Sequence, residues 1–226
     1  MRMFVLFIID FLSVCPHQNT FAADKAEEAV AILEHLSTEI PRARAPRRLA
    51  LTYASGHKFK EMASSYVRSA LEKGIPSLFV DIKALYSDQS KKQAIYEIVE
   101  ELRTSVTSEP AGGEPTTYLW TLYFLAQHHS HGSDFAKALE TVELALVHTP
   151  TLPELYMCKA RILKRAGDVY GAARTMDEAR LLDGQDRFLN TKSAKYRLRA
   201  GLVNEAHEVL GLFTKVRIPI SYDEIQ

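Results

Sequence analysis

The chain carries the phrases FAKALETVELAL at 135–146, YGAARTMDEARL at 170–181 and VNEAHEVLGLF at 203–213. Aligned on Ala138, Ala172 and Ala206, they recur every 34 residues. Twelve residues before each marker stands another alanine: Ala126, Ala160 and Ala194. Seven residues after come Ala145 and Ala179, then Phe213, where the pattern fails. Two helices approach closely only where the side chains at their crossing are small, so paired alanines set the distance between axes. The Leu, Val, Phe and Met around them fill the groove to the next unit, because each helix pair buries little alone.

A 34-residue period of paired helices with fixed small positions is the tetratricopeptide pattern. The periodicity and breakers predict helices near 116–130, 134–147, 152–166, 169–182, 186–200 and 203–214. Gly132, Gly167 and Gly201 lie at the turns between paired helices, where a left-handed residue closes the first helix. Ala29 and Ala63 are also 34 apart, Ala70 follows by seven, and Pro41 and Ile75-Pro76 fall where units end. The gap to Ala138 takes helices near 78–86 and 90–107 and the loop SEPAGGEP at 108–115. The expected fold is therefore all-α, a right-handed α-solenoid of stacked helix–turn–helix repeats. It divides into an apolar segment at 1–23, degenerate helical repeats at 24–114, three tetratricopeptide repeats at 115–215 and a tail at 216–226.

Composition agrees with helix and narrows function. Of 226 residues, 46% are apolar, enough for a core, and 10 Gly with 9 Pro are few for an all-β chain of tight turns. Lys and Arg number 28 against 28 Asp and Glu, so bulk positive charge does not drive nucleic-acid coating. Two cysteines cannot build a disulfide framework. The opening stretch, with Arg2, a short apolar run and Thr20-Phe21-Ala22, imitates a secretory signal. That run is too short to span a bilayer, and Asp10 interrupts it. The low cysteine count and the lack of Asn-x-Ser/Thr sites stand against secretion. The segment reads as a terminal extension on a soluble chain, from an uncertain start or a truncated parent.

No phosphate loop, nucleophile elbow or HExxH occurs, and no catalytic residue or metal site is expected. His128, His129 and His131 stand just before Gly132, where polar or cationic side chains suit the helix dipole. Cys158, between Met157 and Lys159, reads as a small core filler. Glu100 and Glu101 belong to an amphipathic helix and are expected to face water.

Charge is where the chain departs from uniformity. From Lys159 to Arg199 there are eleven basic residues against five acidic ones, an excess of six. Counted from Pro153 and Arg187, Arg161 and Lys195 share the ninth position of successive first helices, Arg165 and Arg199 share the thirteenth, and Lys164 takes the twelfth. Arg161, Lys164 and Arg165 are i, i+3, i+4; Lys192, Lys195 and Arg199 are i, i+3, i+7. Each trio projects from one face, and stacking brings the faces together. One reading is a solvated cationic face, screened within about 8–10 Å by salt. The other, favoured by the convergence, is a polyanion site.

The phrases MDEARLLDGQDRF (176–188) and AKYRLRAGLVNEA (194–206) are specific, and with HTPTLPELYMCKARILKRAGDVYGAAR from 148 they closely resemble the auxiliary subunit of the N-terminal acetyltransferase A complex. The resemblance extends back through EPTTYLWTLYFLAQHH (114–129) and SGHKFKEMASSYVRSALEKGIPSLF (55–79), covering roughly Pro46 to Lys215. It implies a non-catalytic tetratricopeptide scaffold that wraps and activates a small acetyltransferase subunit for co-translational acetylation of protein N-termini, tethers it to the ribosome and is cytoplasmic. The acetyl-coenzyme A phosphate motif of the catalytic fold is absent from this sequence.

The same resemblance implies an inositol hexaphosphate site at Arg161, Lys164, Lys192 and Lys195, as a structural ligand rather than a cofactor. Geometry adds Arg165 and Arg199, and Tyr196 could add a hydroxyl. The family's subunit is several times longer, so a fragment or truncated product is expected. The rival is a co-chaperone module that clamps an acidic peptide's C-terminus with Lys, Arg and Asn. Asn190 is the nearest asparagine, and Arg161 with Lys195 at the matching positions disfavours that reading.

Overall fold

The computed structural model describes residues 19–108 and 115–212. Among them there are eleven α-helices, one 3-10 helix and no strand. The apolar segment at 1–18, the loop core at 109–114 and Phe213 lie outside the described residues, as does the tail from 216. No helix among the described residues is long and apolar enough to cross a membrane. Tertiary contacts divide the described residues into two units: those up to 67 with 81–95, and 68–80 with those from 96 onward.

In the first unit α1 (Asn19–Glu39) packs on α2 (Arg44–Tyr53) around buried Val30, Leu33, Ala50 and Leu51. Ala29 and Ala63, the pair 34 residues apart, are both buried. Ala63 lies on α3 (Gly56–Glu72) and Phe59, also on α3, is buried beneath Lys91 of α5 (Gln89–Ser108). Lys91 Nζ donates to the Leu51 and Thr52 carbonyls at 3.0 and 2.8 Å, serving the orphan acceptors at the end of α2. Its partial burial there holds the ammonium below the ordinary lysine range.

The single helix expected over 78–86 is instead a short α4 (Leu78–Ile82) followed by the 3-10 helix Lys83–Ser87. Tightening from 3.6 to about three residues per turn changes which side chains face inward. Leu78 and Ile82 are buried before that change of pitch, and Leu85 and Tyr86 after it.

The second unit carries the repeats. They are α6 (Pro115–His131) with α7 (Phe135–His148), α8 (Pro153–Ala166) with α9 (Val169–Leu182), and α10 (Arg187–Arg199) with α11 (Val203–Gly211). Each second helix packs on the first helix of the next pair. The helix limits agree with the periodicity to within a residue or two, up to the edge of the described chain. All eight repeat-position alanines (126, 138, 145, 160, 172, 179, 194 and 206) are at most 1% exposed, as close helix crossings require. Leu122, Val142, Leu155, Cys158 and Ile162 fill the first inter-repeat core; Ala173, Met176, Leu189 and Tyr196 fill the second.

The turns repeat as faithfully as the helices. Asp134 N donates to His129 O, Asp168 N to Leu163 O and Leu202 N to Arg197 O, at 3.0, 3.0 and 2.9 Å, each bond offset by 34 residues from the next. The left-handed residue in that closure is Gly167 (φ 100°) and Gly201 (φ 77°), but in the first repeat it is Ser133 (φ 63°), not Gly132. Residue 133 is the one in register with 167 and 201; Gly132 is one position early.

Asp134 and Asp168 then cap the following helices, accepting from Lys137 N at 3.3 Å and Gly171 N at 2.7 Å. Gly171 makes room for the tighter of the two, since a Cβ there would lie 2.0 Å from Asp168 Oδ2. Leu202, the third in that series, provides no side-chain cap.

Overpacking at a zero-exposure crossing forces the helices apart. Ala160→Leu and Ala172→Leu are each expected to destabilise the chain by about 1–3 kcal/mol in urea unfolding, with helix content retained at the start of the transition.

Candidate functional site

The basic face lies on the first helices of the second and third repeats, α8 and α10. Pro153 at the first turn and left-handed Gly167 at the end bound α8; Asp186, accepting from Phe188 N at 2.7 Å, caps α10. The inner sides of these helices sit on the inter-repeat cores, which leaves their cations on the sides turned from those cores. At its centre Lys164 is half-buried, with Nζ 5.7 Å from the centroid of the Tyr196 ring. Arg199 lies over the same ring, with Cζ at 5.8 Å. Burial, then the charges of Arg199, Arg161, Arg165 and Lys192, hold the Lys164 ammonium below the ordinary lysine range.

Arg161 is exposed, and its charge reaches both Tyr123 of α6 and Tyr196 of α10. Burial raises the phenols of Tyr123 and Tyr196 above the ordinary tyrosine value, and Arg161 opposes that rise at both.

The structure thus brings together Arg161, Lys164, Arg165, Lys192 and Arg199. None of these five has an acidic partner among the described residues. Lys195, the sixth cation of the expected set, stands exposed on α10. Arg165 Nη1 donates to the buried Ser130 hydroxyl of α6 at 3.3 Å. Lys192 Nζ rests 5.1 Å from the Phe188 ring centroid. Tyr196 is 9% exposed, and its ring acts as an electron-rich platform under two cations.

The excess of six is not all available to a ligand, because Lys159, Arg180 and Arg197 are paired within the fold. Lys159 pairs with Glu143 at 2.6 Å, Arg180 with Asp177 at 2.6 Å, and Arg197 with Asp177 at 2.9 Å and Glu205 at 3.3 Å. Two residues missed by the sequence reading, Phe188 and Ser130, had readable signals. Phe188 is four positions before Lys192 on one helix, and Ser130 sits 35 before Arg165, the same offset that separates Lys164 from Arg199.

Asn190 is 2% exposed, and its Nδ2 donates to the Gly184 and Asp186 carbonyls at 3.0 and 2.7 Å. Only the acceptor Oδ1 is left over, so this amide has no donor for a peptide carboxylate. Cys158 is buried in the first inter-repeat core, and burial pushes its thiol up to about 12, a poor nucleophile at neutral pH.

The histidine trio occupies the last turn of α6, as expected, and also packs on aromatic rings. His128 is buried and stacked on Tyr96 at 4.9 Å, His129 meets the edge of the same ring at 5.9 Å, and His131 meets Phe79 at 5.9 Å. Burial pulls the His129 imidazole below its ordinary value, against the attraction of Asp134, so the fold favours the neutral ring. Among the described residues no group of three or more His, Cys, Asp or Glu could hold a metal ion.

The family described as N-terminal acetyltransferase A, auxiliary subunit, matches residues 11–223, nearly the whole chain. The chain belongs to this family. Among NatA auxiliary subunits, it is 42% identical over 197 residues to mouse N-alpha-acetyltransferase 16, NatA auxiliary subunit, a match covering 84% of this chain and 23% of the relative. It is 36% identical over 210 residues to the Arabidopsis thaliana N-terminal acetyltransferase A complex auxiliary subunit NAA15, covering 90% of this chain and 23% of that protein. In the solved structure of Naa15/Naa10 bound to HypK-THB, the matching chain superposes with a TM-score of 0.80 at 38% identity, over 87% of this chain and 30% of that one. The chain therefore spans about a quarter of the length of the curated NatA auxiliary subunits it matches.

Because the folded state lowers the His129 pKa, the unfolded chain binds more protons below about pH 6.5, and stability falls as pH drops through that range. Wild type is expected to unfold at lower urea at pH 5.5 than at pH 7.5, and His129→Gln is expected to flatten that difference.

Proposed function

We propose that this chain is a section of the non-catalytic scaffold of an N-terminal acetyltransferase A complex. It wraps and activates the catalytic subunit for co-translational N-terminal acetylation, in the cytoplasm and, through the whole complex, at the ribosome. Membership of the auxiliary-subunit family supports this reading, as does the superposition on the Naa15 chain of a structure that also contains Naa10. The observation that carries it is the basic face. Five cations with no acidic partner among the described residues gather on two adjacent first helices, and one of them, Lys164, is partly buried there.

Such a face is electrostatically unfavourable alone and suits a compact, highly charged anion. Inositol hexaphosphate is the proposed ligand, held by Arg161, Lys164 and Lys192, with Lys195 at the rim and Arg165 and Arg199 at the flank. Each phosphate can accept several charge-assisted hydrogen bonds, which explains why a polyphosphate rather than a single carboxylate fits. Tyr196 supports the cations through its ring, and its role is that of a platform.

Two measurements test the proposal. Inositol hexaphosphate is expected to raise the melting temperature of the folded chain, and Lys192→Glu combined with Lys195→Glu to abolish the rise. An unchanged melting curve at saturating ligand would falsify the anion site. Co-expression with a small acetyltransferase subunit is expected to give a complex that survives gel filtration; separate elution of the two chains would sink the scaffold reading for this section.

A further inference from the structure

The side of α10 turned away from the basic face is polar where a repeat core is normally apolar. Asn190, Ser193 and Arg197, at i, i+3 and i+7, are all buried, at 2%, 0% and 9% exposure. Lys192, Tyr196 and Arg199, at i, i+4 and i+7, form the neighbouring stripe, whose Tyr196 ring meets Lys164 of α8 and whose two charges act on it. Arg197 is the pivot between them. Its Nη2 reaches Asp177 Oδ2 of α9 at 2.9 Å, its Nε reaches Glu205 Oε2 of α11 at 3.3 Å, and its Nη1 donates to the Ser193 hydroxyl.

Asp177 takes a second arginine as well, from Arg180 Nε at 2.6 Å, and the Ser193 hydroxyl lies 3.4 Å away. Burial would raise this carboxyl, but the hydrogen bonds from Arg180 and Arg197 hold it below the usual carboxylate range. Apolar contacts are non-directional and let a helix turn about its axis, whereas a guanidinium fork bonded on two sides does not.

We infer that Asp177 is a positioning residue: through Arg197 it fixes the rotation at which α10 presents Lys192, Tyr196 and Arg199 to α8. Its ligand consequence rests on the anion-site reading proposed above; its geometric consequence does not.

The two possible roles of Asp177 have opposite signs. If it acted only through its field, Asp177→Asn would leave the basic face more positive, depressing the Lys164 titration further and tightening polyanion binding. A positioning role predicts the reverse. Asn can accept for only one of the two arginines, so α10 turns, the charges of Arg199 and Lys192 move off Lys164, its ammonium regains water, and the anion contacts scatter.

The experiment is an NMR titration of the 13C-dimethylated lysines of the full chain, with the Lys164 signal assigned by its loss in Lys164→Arg, alongside inositol hexaphosphate affinity by calorimetry. In Asp177→Asn, Lys164 is expected to titrate at higher pH than in wild type, and affinity to fall at least tenfold despite the added positive charge. Glu178→Gln makes the same charge change at the exposed neighbouring position and is expected to leave affinity equal or tighter. Should Asp177→Asn not fold, Arg197→Lys keeps the net charge, loses the fork and is expected to shift both readouts in the same direction. A Lys164 titration that is unchanged or lower in the folded variant overturns the positioning role. An upward shift with no ligand binding to wild type leaves the positioning role standing and removes the anion site.

Discussion

Everything in the repeat unit depends on how closely its helices cross. Eight buried alanines at fixed places leave no side chain between the backbones, so each helix seats at one distance and at one register along its neighbour. A residue's position in the 34-residue unit then decides where it points. Leu122, Leu155 and Leu189 fall inward, while Arg161, Lys164 and Arg199 fall on the outer face of first helices. The cations meet because the alanines leave their helices no other spacing.

This explains what could be read from the residues and what could not. The repeats were legible because their determinants are local, an alanine and its flanking apolar residues within one helix, copied at constant spacing. The first turn is less legible because its glycine, Gly132, stands one position before the left-handed site, which register assigns to Ser133. The segment 78–87 resisted because five residues of α-helix followed by a 3-10 turn carry too little periodic signal to show the change of pitch. At the site, side-chain class and helix face were visible, but pairing was not. Arg197 counts as a free charge until Asp177, twenty positions earlier, and Glu205, on the next helix, are seen to share it.

The third repeat therefore treats its cations in two ways. Arg197 is removed from solvent and neutralised, with two carboxylates and a hydroxyl around one guanidinium. One helical face away, Lys192 and Arg199 lie over the Phe188 and Tyr196 rings of their own helix, with no acidic partner among the described residues. The first arrangement gives the helix a fixed orientation; the second leaves charge in excess on the side so oriented. The pairing of a neutralised core cation with an uncompensated surface set is what distinguishes this unit from a generic helical repeat, whose first helices would be apolar inside and mixed in sign outside.

The capping turn of the second repeat carries a consequence for how its sequence can change. Gly171 lies in a helix, where alanine would ordinarily be preferred by about 1 kcal/mol. It faces the Asp168 carboxylate so closely that any Cβ displaces the cap. The two positions are therefore epistatic. Alanine at 171 works against the fold while Asp168 is present, and favours it once residue 168 has lost its carboxylate. In the first repeat Lys137 occupies the corresponding place and the Asp134 cap is longer, 3.3 against 2.7 Å. Neighbouring copies of one motif have thus settled on different sides of the same trade, and a substitution transferred from one repeat to the next can reverse its sign.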